Sequence, residues 1–174
     1  MPKQFPFDKF KKGLIKCGLK EETYDYYLPE WVKEYGDTDR TRKDYIWHLY
    51  QLLLNSIAKE FSRHPSLWNL QRNVYCEMAD SLRAEGRKIT VAMKGIAHCD
   101  IENAASTGLK TEASIIGSHC CPECDKINGK RFSLSVMIES SVLPYDKCTR
   151  EMGCICCYGF HALRDDDGKL INEN

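Results

Sequence analysis

The stretch Cys121-Pro122-Glu123-Cys124 decides how the last third of this chain folds. It opens a pattern C-x2-C-x23-C-x5-C-x-C-C that ends at Cys157 and holds six of the ten cysteines in the 174-residue sequence. A Cys-Pro-x-Cys turn lets two sulfurs reach one metal at about 2.3 Å each, and tetrahedral zinc takes four such ligands. The spacing therefore predicts a zinc-binding module.

The ligand assignment follows from strand geometry. The predicted zinc ligands are Cys121, Cys124, Cys148 and Cys156, with Cys154 as the alternative fourth ligand. In an extended strand Cys154 and Cys156 point to the same face and Cys157 points away, so the fourth position stays open between the first two. The reserve ligands are Cys157, Cys120, His119 and His161. If Cys154 and Cys156 both bind together with the other three, a two-metal site is the alternative.

Composition bounds the environment and the partners. The formal net charge is +0, from 25 basic and 25 acidic residues, so no global field draws the protein to nucleic acid or anionic lipid. No apolar run approaches the roughly 18 residues of a membrane span, and the N-terminus lacks the apolar core of a secretory signal. We expect a cytoplasmic protein in which clustered thiols bind metal rather than pair as disulfides.

The first 40 residues predict short helices. Asp8–Cys17 has apolar residues at helical spacing, and Gly18 is suited to end the helix. The segment Glu21–Tyr35 is rich in aromatic residues, but Pro29 argues against one unbroken helix.

Two strong helices follow and predict a hairpin. Asp39 is the expected N-cap of a helix that runs to about Arg63 and is ended by His64-Pro65. Its apolar stripe consists of Ile46, Leu49, Leu53, Ile57 and Phe61. A second stripe consists of Leu67, Leu70, Val74, Met78 and Leu82 and ends at Gly86. The short connection predicts that these helices pack antiparallel.

The remainder predicts one more helix and a small mixed module. A weaker helix is expected from about Ile89 to Ala105, and the small, polar segment 106–118 is interpreted as a boundary. After the Cys-x-x-Cys arm, Asn128-Gly129 predicts a β-hairpin turn, and 133–141 predicts a short helix. The expected fold is mainly α, with a helical bundle or hairpin at 1–110 followed by a small α+β zinc-knuckle module at 111–174.

The sequence offers no catalytic constellation. Catalytic zinc usually keeps three protein ligands, often including histidine, and an open position for water. The chain has no H-E-x-x-H, no H-x-E paired with P-C-x-x-C, and no phosphate-binding or nucleophile-elbow motif. These observations favour a non-enzymatic protein with a closed structural site. A nuclease or other hydrolase that uses residues outside the cluster stays open as an alternative.

The cysteine module resembles the C-terminal motif of Mu-like phage head-morphogenesis (minor head) proteins. The resemblance covers residues 119–160 and rests on Cys121-Pro-Glu-Cys124, Asn128-Gly-Lys-Arg-Phe132, Leu143-Pro144, and Cys148 with Cys154-Ile-Cys156. That family typically has a histidine shortly before a final Cys-Arg-Cys. Here Tyr145-Asp-Lys-Cys148 stands in that place, and five residues separate Cys148 from Cys154.

Two hypotheses about partners follow. The resemblance implies a phage- or prophage-derived, head-assembly-like protein whose partner is protein, either a second copy or a phage or host protein. The alternative is a zinc-ribbon accessory protein that binds nucleic acid through Lys126, Lys130, Arg131 and the N-terminal lysines, although the net charge of +0 gives little long-range attraction.

Overall fold

The computed structural model describes residues 5–60, 67–117, 119 and 121–173. It confirms the predicted class, because the chain is mainly helical with one small three-stranded antiparallel sheet toward its C-terminus. The chain divides into two compact units, Met1–Arg87 and Lys88–Asn174. No helix in the described part of the chain combines the length and the apolar character that crossing a membrane requires.

Within the described ranges, the first unit contains four helices. These are α1 (Phe7–Lys16), α2 (Glu21–Tyr35), α3 (Asp39–Glu60) and α4 (Leu67–Ala84). The two helices of the predicted hairpin, α3 and α4, pack against each other, and α1 packs against both of them. The segment that joins α3 to α4 includes Phe61, Arg63, His64 and Pro65, and the predictions for these residues lie outside the described ranges.

The stop predicted at Gly18 is confirmed in atomic detail. Gly18 has a φ of +99°, in the left-handed region that glycine adopts without steric penalty. Its N–H donates to the carbonyl of Ile15 at 3.0 Å, and the N–H of Leu19 donates to the carbonyl of Leu14 at 3.1 Å. This pair of bonds is a Schellman motif, which satisfies carbonyls that the end of α1 would leave unpaired.

Helix α2 continues through Pro29, so the expected interruption is wrong. Proline removes one intrahelical hydrogen bond, but contacts with α3 fix the helix on both sides of it. Before the proline, the Tyr45 hydroxyl donates to the carbonyl of Tyr24 at 2.6 Å. After it, the Trp31 indole Nε1 donates to the carbonyl of Thr41 at 2.9 Å. Tertiary packing therefore offsets the local penalty.

The cap of α3 is Thr38 rather than the predicted Asp39. The Thr38 hydroxyl accepts the N–H of Thr41 at 3.2 Å, and the Thr41 hydroxyl accepts the N–H of Thr38 at 3.0 Å. This is the reciprocal arrangement of a capping box, with threonine in the place usually taken by Glu or Gln. Asp39 is instead the first helical residue, where its carboxylate interacts favourably with the positive N-terminal end of the helix dipole.

The predicted apolar stripes form the core of the first unit. From α3, Ile46, Leu49, Leu53 and Ile57 are all buried, and from α4 the buried members are Val74, Met78 and Leu82. Phe10 and Leu14 of α1 are fully buried as well. The three- and four-residue spacing therefore identified the inward faces of these helices correctly.

The second unit combines three helices with the sheet. Its elements are α5 (Thr90–Ala105), β1 (Thr111–Ile116), α6 (Pro122–Asp125), β2 (Arg131–Ser133), α7 (Leu134–Glu139) and β3 (Cys157–Ala162). The strand order is β2-β1-β3, and both neighbours pair antiparallel with β1. Ala113, at the middle of the sheet, pairs with Phe132 on one side and Phe160 on the other.

The observed boundary differs from the predicted domains 1–110 and 111–174. It falls at Arg87 and Lys88, because α5 contributes Ala97, Ile101 and Ala104 to the same apolar core as the cysteines. The segment 106–118, interpreted from its small and polar residues as a boundary, contains the central strand β1. In β1 the buried positions alternate with less buried ones, so half of its residues need not be apolar.

The Asn128-Gly129 turn does not join two paired strands, as the predicted hairpin required. Gly129 has a φ of +74°, and its N–H donates to the carbonyl of Ile115 in β1 at 2.8 Å. The turn instead directs β2 onto β1, and the short helix α6 occupies the position of the expected first hairpin strand. The predicted short helix at 133–141 is confirmed as α7.

Candidate metal centre

Three separate segments deliver the cysteines. Cys121 is the N-cap of α6, where its Sγ accepts the N–H of Cys124 at 3.3 Å. Pro122 occupies the first turn of this helix, a position that does not need its missing N–H. Cys148 lies in a turn after α7, in which its N–H donates to the carbonyl of Tyr145 at 3.2 Å. Cys154 and Cys156 directly precede β3.

The structure brings five thiols into one cluster. Cys121, Cys124 and Cys148 form a group whose sulfurs lie within 4.8 Å of one another, and Cys124, Cys154 and Cys156 form a second such group. The Sγ–Sγ distance is 3.8 Å between Cys121 and Cys148 and 3.9 Å between Cys124 and Cys154. Sulfurs bound at 2.3 Å to a tetrahedral ion are about 3.8 Å apart. The cluster can therefore hold a metal ion.

The cluster is enclosed. Cys124 is 0% exposed, Cys154 and Cys156 are 2% exposed, and Cys121 is 7% exposed. All are free thiols, as is Cys148. The predicted alternation is also confirmed, because Cys154 and Cys156 are buried whereas Cys157 is exposed. Burial leaves water little access to an ion at the centre.

Backbone donors distinguish Cys121 from Cys124. The N–H groups of Cys124 and Thr149 point at the Cys121 sulfur and lower the pKa of this thiol to about 6, because they stabilise the thiolate. Burial raises the pKa of the Cys124 thiol, and the neighbouring thiols raise it further. Cys124 lies at the centre of the cluster. A metal cation bound there would stabilise the negative charge of the Cys124 thiolate.

Cys154 lies between these two cases. Burial raises the pKa of its thiol to about 11. The backbone N–H groups of Cys156 and Tyr145 oppose that shift, since both donate toward the Cys154 sulfur. Cys121 and Cys154 thus share an environment in which two peptide N–H groups support a thiolate.

The reserve ligands that the structure describes, His119, His161 and Cys157, do not join the cluster. His119 is exposed, and its Nδ1 faces a carboxylate oxygen of Asp125 at 3.0 Å. The Nε2 of His161 lies 3.0 Å from the hydroxyl of Ser114 on the neighbouring strand. Neither histidine belongs to a group of metal-ligating atoms within the described residues. Cys120 lies outside those residues.

The comparisons leave the site to be interpreted from its own chemistry. Searches of family models, of curated proteins and of solved structures return no match to this chain.

Sequence reasoning missed one positioning residue, Tyr158 in β3. Its side chain is buried, and its hydroxyl accepts the backbone N–H of Leu143 at 2.8 Å and lies 3.0 Å from the hydroxyl of Ser141. These contacts tie the loop after α7, which leads to Cys148, to the sheet. A buried tyrosine normally needs a hydroxyl partner, but the sequence does not reveal which one.

We expect Tyr158→Phe to destabilise the second unit by about 1–3 kcal/mol, because it leaves the buried Leu143 N–H without an acceptor. Chemical denaturation followed by far-ultraviolet circular dichroism would measure the loss. Ser141→Ala is the matched control, since it keeps the Leu143 bond and should cost clearly less. Equal effects of the two substitutions would contradict this role for the tyrosine.

Proposed function

We propose that the five-thiol cluster holds one zinc ion as a structural centre and that the chain is a non-enzymatic, zinc-stabilised interaction protein. The observation that carries the proposal is the set of five clustered thiols, four buried and Cys148 half-buried, whose closest sulfurs are 3.8 and 3.9 Å apart, at the edge length of a zinc–thiolate tetrahedron. Thiolate ligands at tetrahedral spacing favour zinc over harder cations such as Mg²⁺ or Ca²⁺.

The donor set supports a structural rather than a catalytic role. Four thiolates fill the coordination shell of zinc, whereas a catalytic site keeps one position for water. The cluster supplies five sulfurs, and no described histidine or carboxylate belongs to it. Glu123, which lies inside the Cys-x-x-Cys arm, pairs with Lys126.

We assign Cys121, Cys124, Cys148 and Cys154 as the ligands. The first three form one group, and Cys154 reaches Cys124 at 3.9 Å with two peptide N–H groups directed at its sulfur. Cys156, the slightly preferred fourth ligand in the sequence analysis, then becomes the fifth thiol beside the complete shell.

Native mass spectrometry of freshly purified protein should find one zinc per chain. We expect Cys154→Ser to weaken zinc affinity at least tenfold, because loss of one thiolate opens the shell, and Cys156→Ser to weaken it much less. Competition with a chromophoric chelator would measure both affinities. The reverse order would move the fourth ligand to Cys156, and a preparation that is stable without metal would contradict the structural role.

Charge pairing favours a protein partner over nucleic acid. Of the N-terminal lysines, Lys11 pairs with Asp25 at 2.8 Å and Lys9 with Asp80 at 3.4 Å. In the second unit, Lys126 pairs with Glu123. Arg131 also faces a carboxylate, that of Glu112, at 3.7 Å. Phosphate binding would have to compete with these contacts.

The resemblance to head-morphogenesis proteins supports a protein partner, either a second copy of the chain or a phage or host protein. The proposed location of this interaction is the cytoplasm or a virion. Size-exclusion chromatography with native mass spectrometry of the zinc-loaded chain tests for self-association. A salt-dependent mobility shift with DNA or RNA near physiological ionic strength would instead support the nucleic-acid alternative.

A further inference from the structure

A surface pocket of about 310 Å³ lies between α2 and α3 in the first unit. Each helix contributes residues at three- and four-residue intervals, so the pocket is formed by one continuous face of each. The volume is at the lower end of the range for sites that bind small ligands. Neither the zinc centre nor the proposed partner binding accounts for it.

The pocket is predominantly aromatic. Tyr27, Trp31 and Tyr45 line it together with His48 and two leucines. The ring centroids of Trp31 and Tyr45 are 5.6 Å apart, and those of Trp31 and His48 are 5.2 Å apart, so these rings form a contiguous surface. The faces of aromatic rings carry negative potential and attract cations, with Trp the strongest.

The charged side chains in the pocket are both acidic. Glu30 and Glu34 line it, and none of its described lining residues is lysine or arginine. Neither carboxylate forms an ion pair with another described residue. Glu34 accepts a hydrogen bond from the Tyr35 hydroxyl, which leaves its charge in place. Charge complementarity therefore selects a cation.

The hydrogen bonds of the aromatic residues narrow the kind of cation. The Trp31 Nε1–H and the Tyr45 hydroxyl both donate to backbone carbonyls, those of Thr41 and Tyr24. The remaining deep surface is ring carbon and the buried Leu49. A primary ammonium carries three N–H donors, which would have to reach the exposed Glu30 and Glu34 carboxylates, the Tyr27 hydroxyl or the His48 ring for acceptors, whereas a quaternary ammonium carries no donor. We propose that this pocket binds a quaternary, methylated ammonium group.

Titration of the full chain with tetramethylammonium chloride at constant ionic strength tests the proposal. We expect saturable chemical-shift changes at the Trp31 indole N–H, with much smaller changes for 3,3-dimethylbutanol, a neutral alcohol whose tert-butyl group has nearly the shape of a trimethylammonium group. Equal responses to the two compounds, or no saturable response to tetramethylammonium, would overturn it. Assignment of the indole signal uses Trp31→Phe, since the chain has three tryptophans.

Variants on the exposed rim localise the site without threatening the fold. Tyr27 is 47% exposed, and Glu30 is exposed as well. We expect Tyr27→Ala and Glu30→Gln each to weaken tetramethylammonium binding about two- to fivefold. Glu22→Gln is the matched control, because Glu22 is an exposed carboxylate of α2 that does not line the pocket. If it weakens binding as much as Glu30→Gln, the attraction is nonspecific and the assignment fails.

Two further ligands identify the source of the ammonium group. Choline represents a free small molecule, and a short peptide with one trimethyllysine represents a modified protein. Tighter binding of the peptide than of its unmethylated form and of choline would assign the pocket to a polypeptide partner. Tighter binding of choline would assign it to a metabolite.

Discussion

We expect Cys124→Ser to release the proposed zinc ion and to unfold the second unit, Lys88–Asn174, while the first unit stays folded. Cys124 belongs to both three-thiol groups, so its loss removes a sulfur from each of them. Structural zinc supplies on the order of 10 kcal/mol of apparent binding energy at neutral pH. That is comparable with the whole stability of an ordinary domain, about 5–15 kcal/mol.

Hydrogen exchange followed by mass spectrometry would resolve this effect along the chain. We expect amides of α5, β1 and β3 to lose protection and those of α3 and α4 to keep it. Cys157→Ser is the matched control, since it makes the same substitution on an exposed residue of the same segment. Thermal melts of Cys124→Ser that overlay those of the parent protein would show that Cys124 is not a ligand.

We expect Phe10→Ala to destabilise the first unit and to leave the second unit folded. Phe10 is 0% exposed, and its ring stacks on Phe5 with centroids 4.9 Å apart. Truncation of a buried phenylalanine costs about 3–5 kcal/mol, because transfer energy is lost and a cavity remains. We expect the first unit to unfold at correspondingly lower denaturant concentration while the chain still carries its zinc.

Denaturant titrations with metal content measured in parallel would check this result. Tyr26→Ala is the control, because this side chain is 67% exposed and its removal should change stability by less than about 0.5 kcal/mol. The contrary result is loss of zinc from Phe10→Ala at denaturant concentrations where the second unit of the parent protein is still folded. It would show that the stabilities of the two units are coupled.

Local patterns predicted the helical elements well. The stripes of α3 and α4 and the stop at Gly18 depend on spacing and on backbone preferences over a few residues, and the structure confirms them. The cap of α3 and Pro29 are exceptions; at Pro29, contacts of Trp31 and Tyr45 hold α2 across the proline. A propensity rule cannot include a hydrogen bond to a residue that is distant in sequence.

The sheet could not be predicted in the same way. Only half of β1 is apolar, namely Ala113, Ile115 and Ile116, and β2 and β3 pair with it from both sides. Helix α5 belongs to the second unit because it packs in the same apolar core as the cysteines, so the boundary lies at 87 rather than 110. Strand pairing is long-range, so the sequence of one strand does not reveal its neighbours.

The sequence by itself determined that cysteines from both ends of the last module could meet, since few other arrangements use a Cys-Pro-x-Cys arm with closely spaced cysteines downstream. Only the tertiary structure decided that five thiols gather around Cys124, that His119 and His161 stay outside the cluster, and that α2 and α3 form an acidic aromatic pocket. Spacing along the chain limits which residues can reach one another, but packing fixes which atoms face a common point.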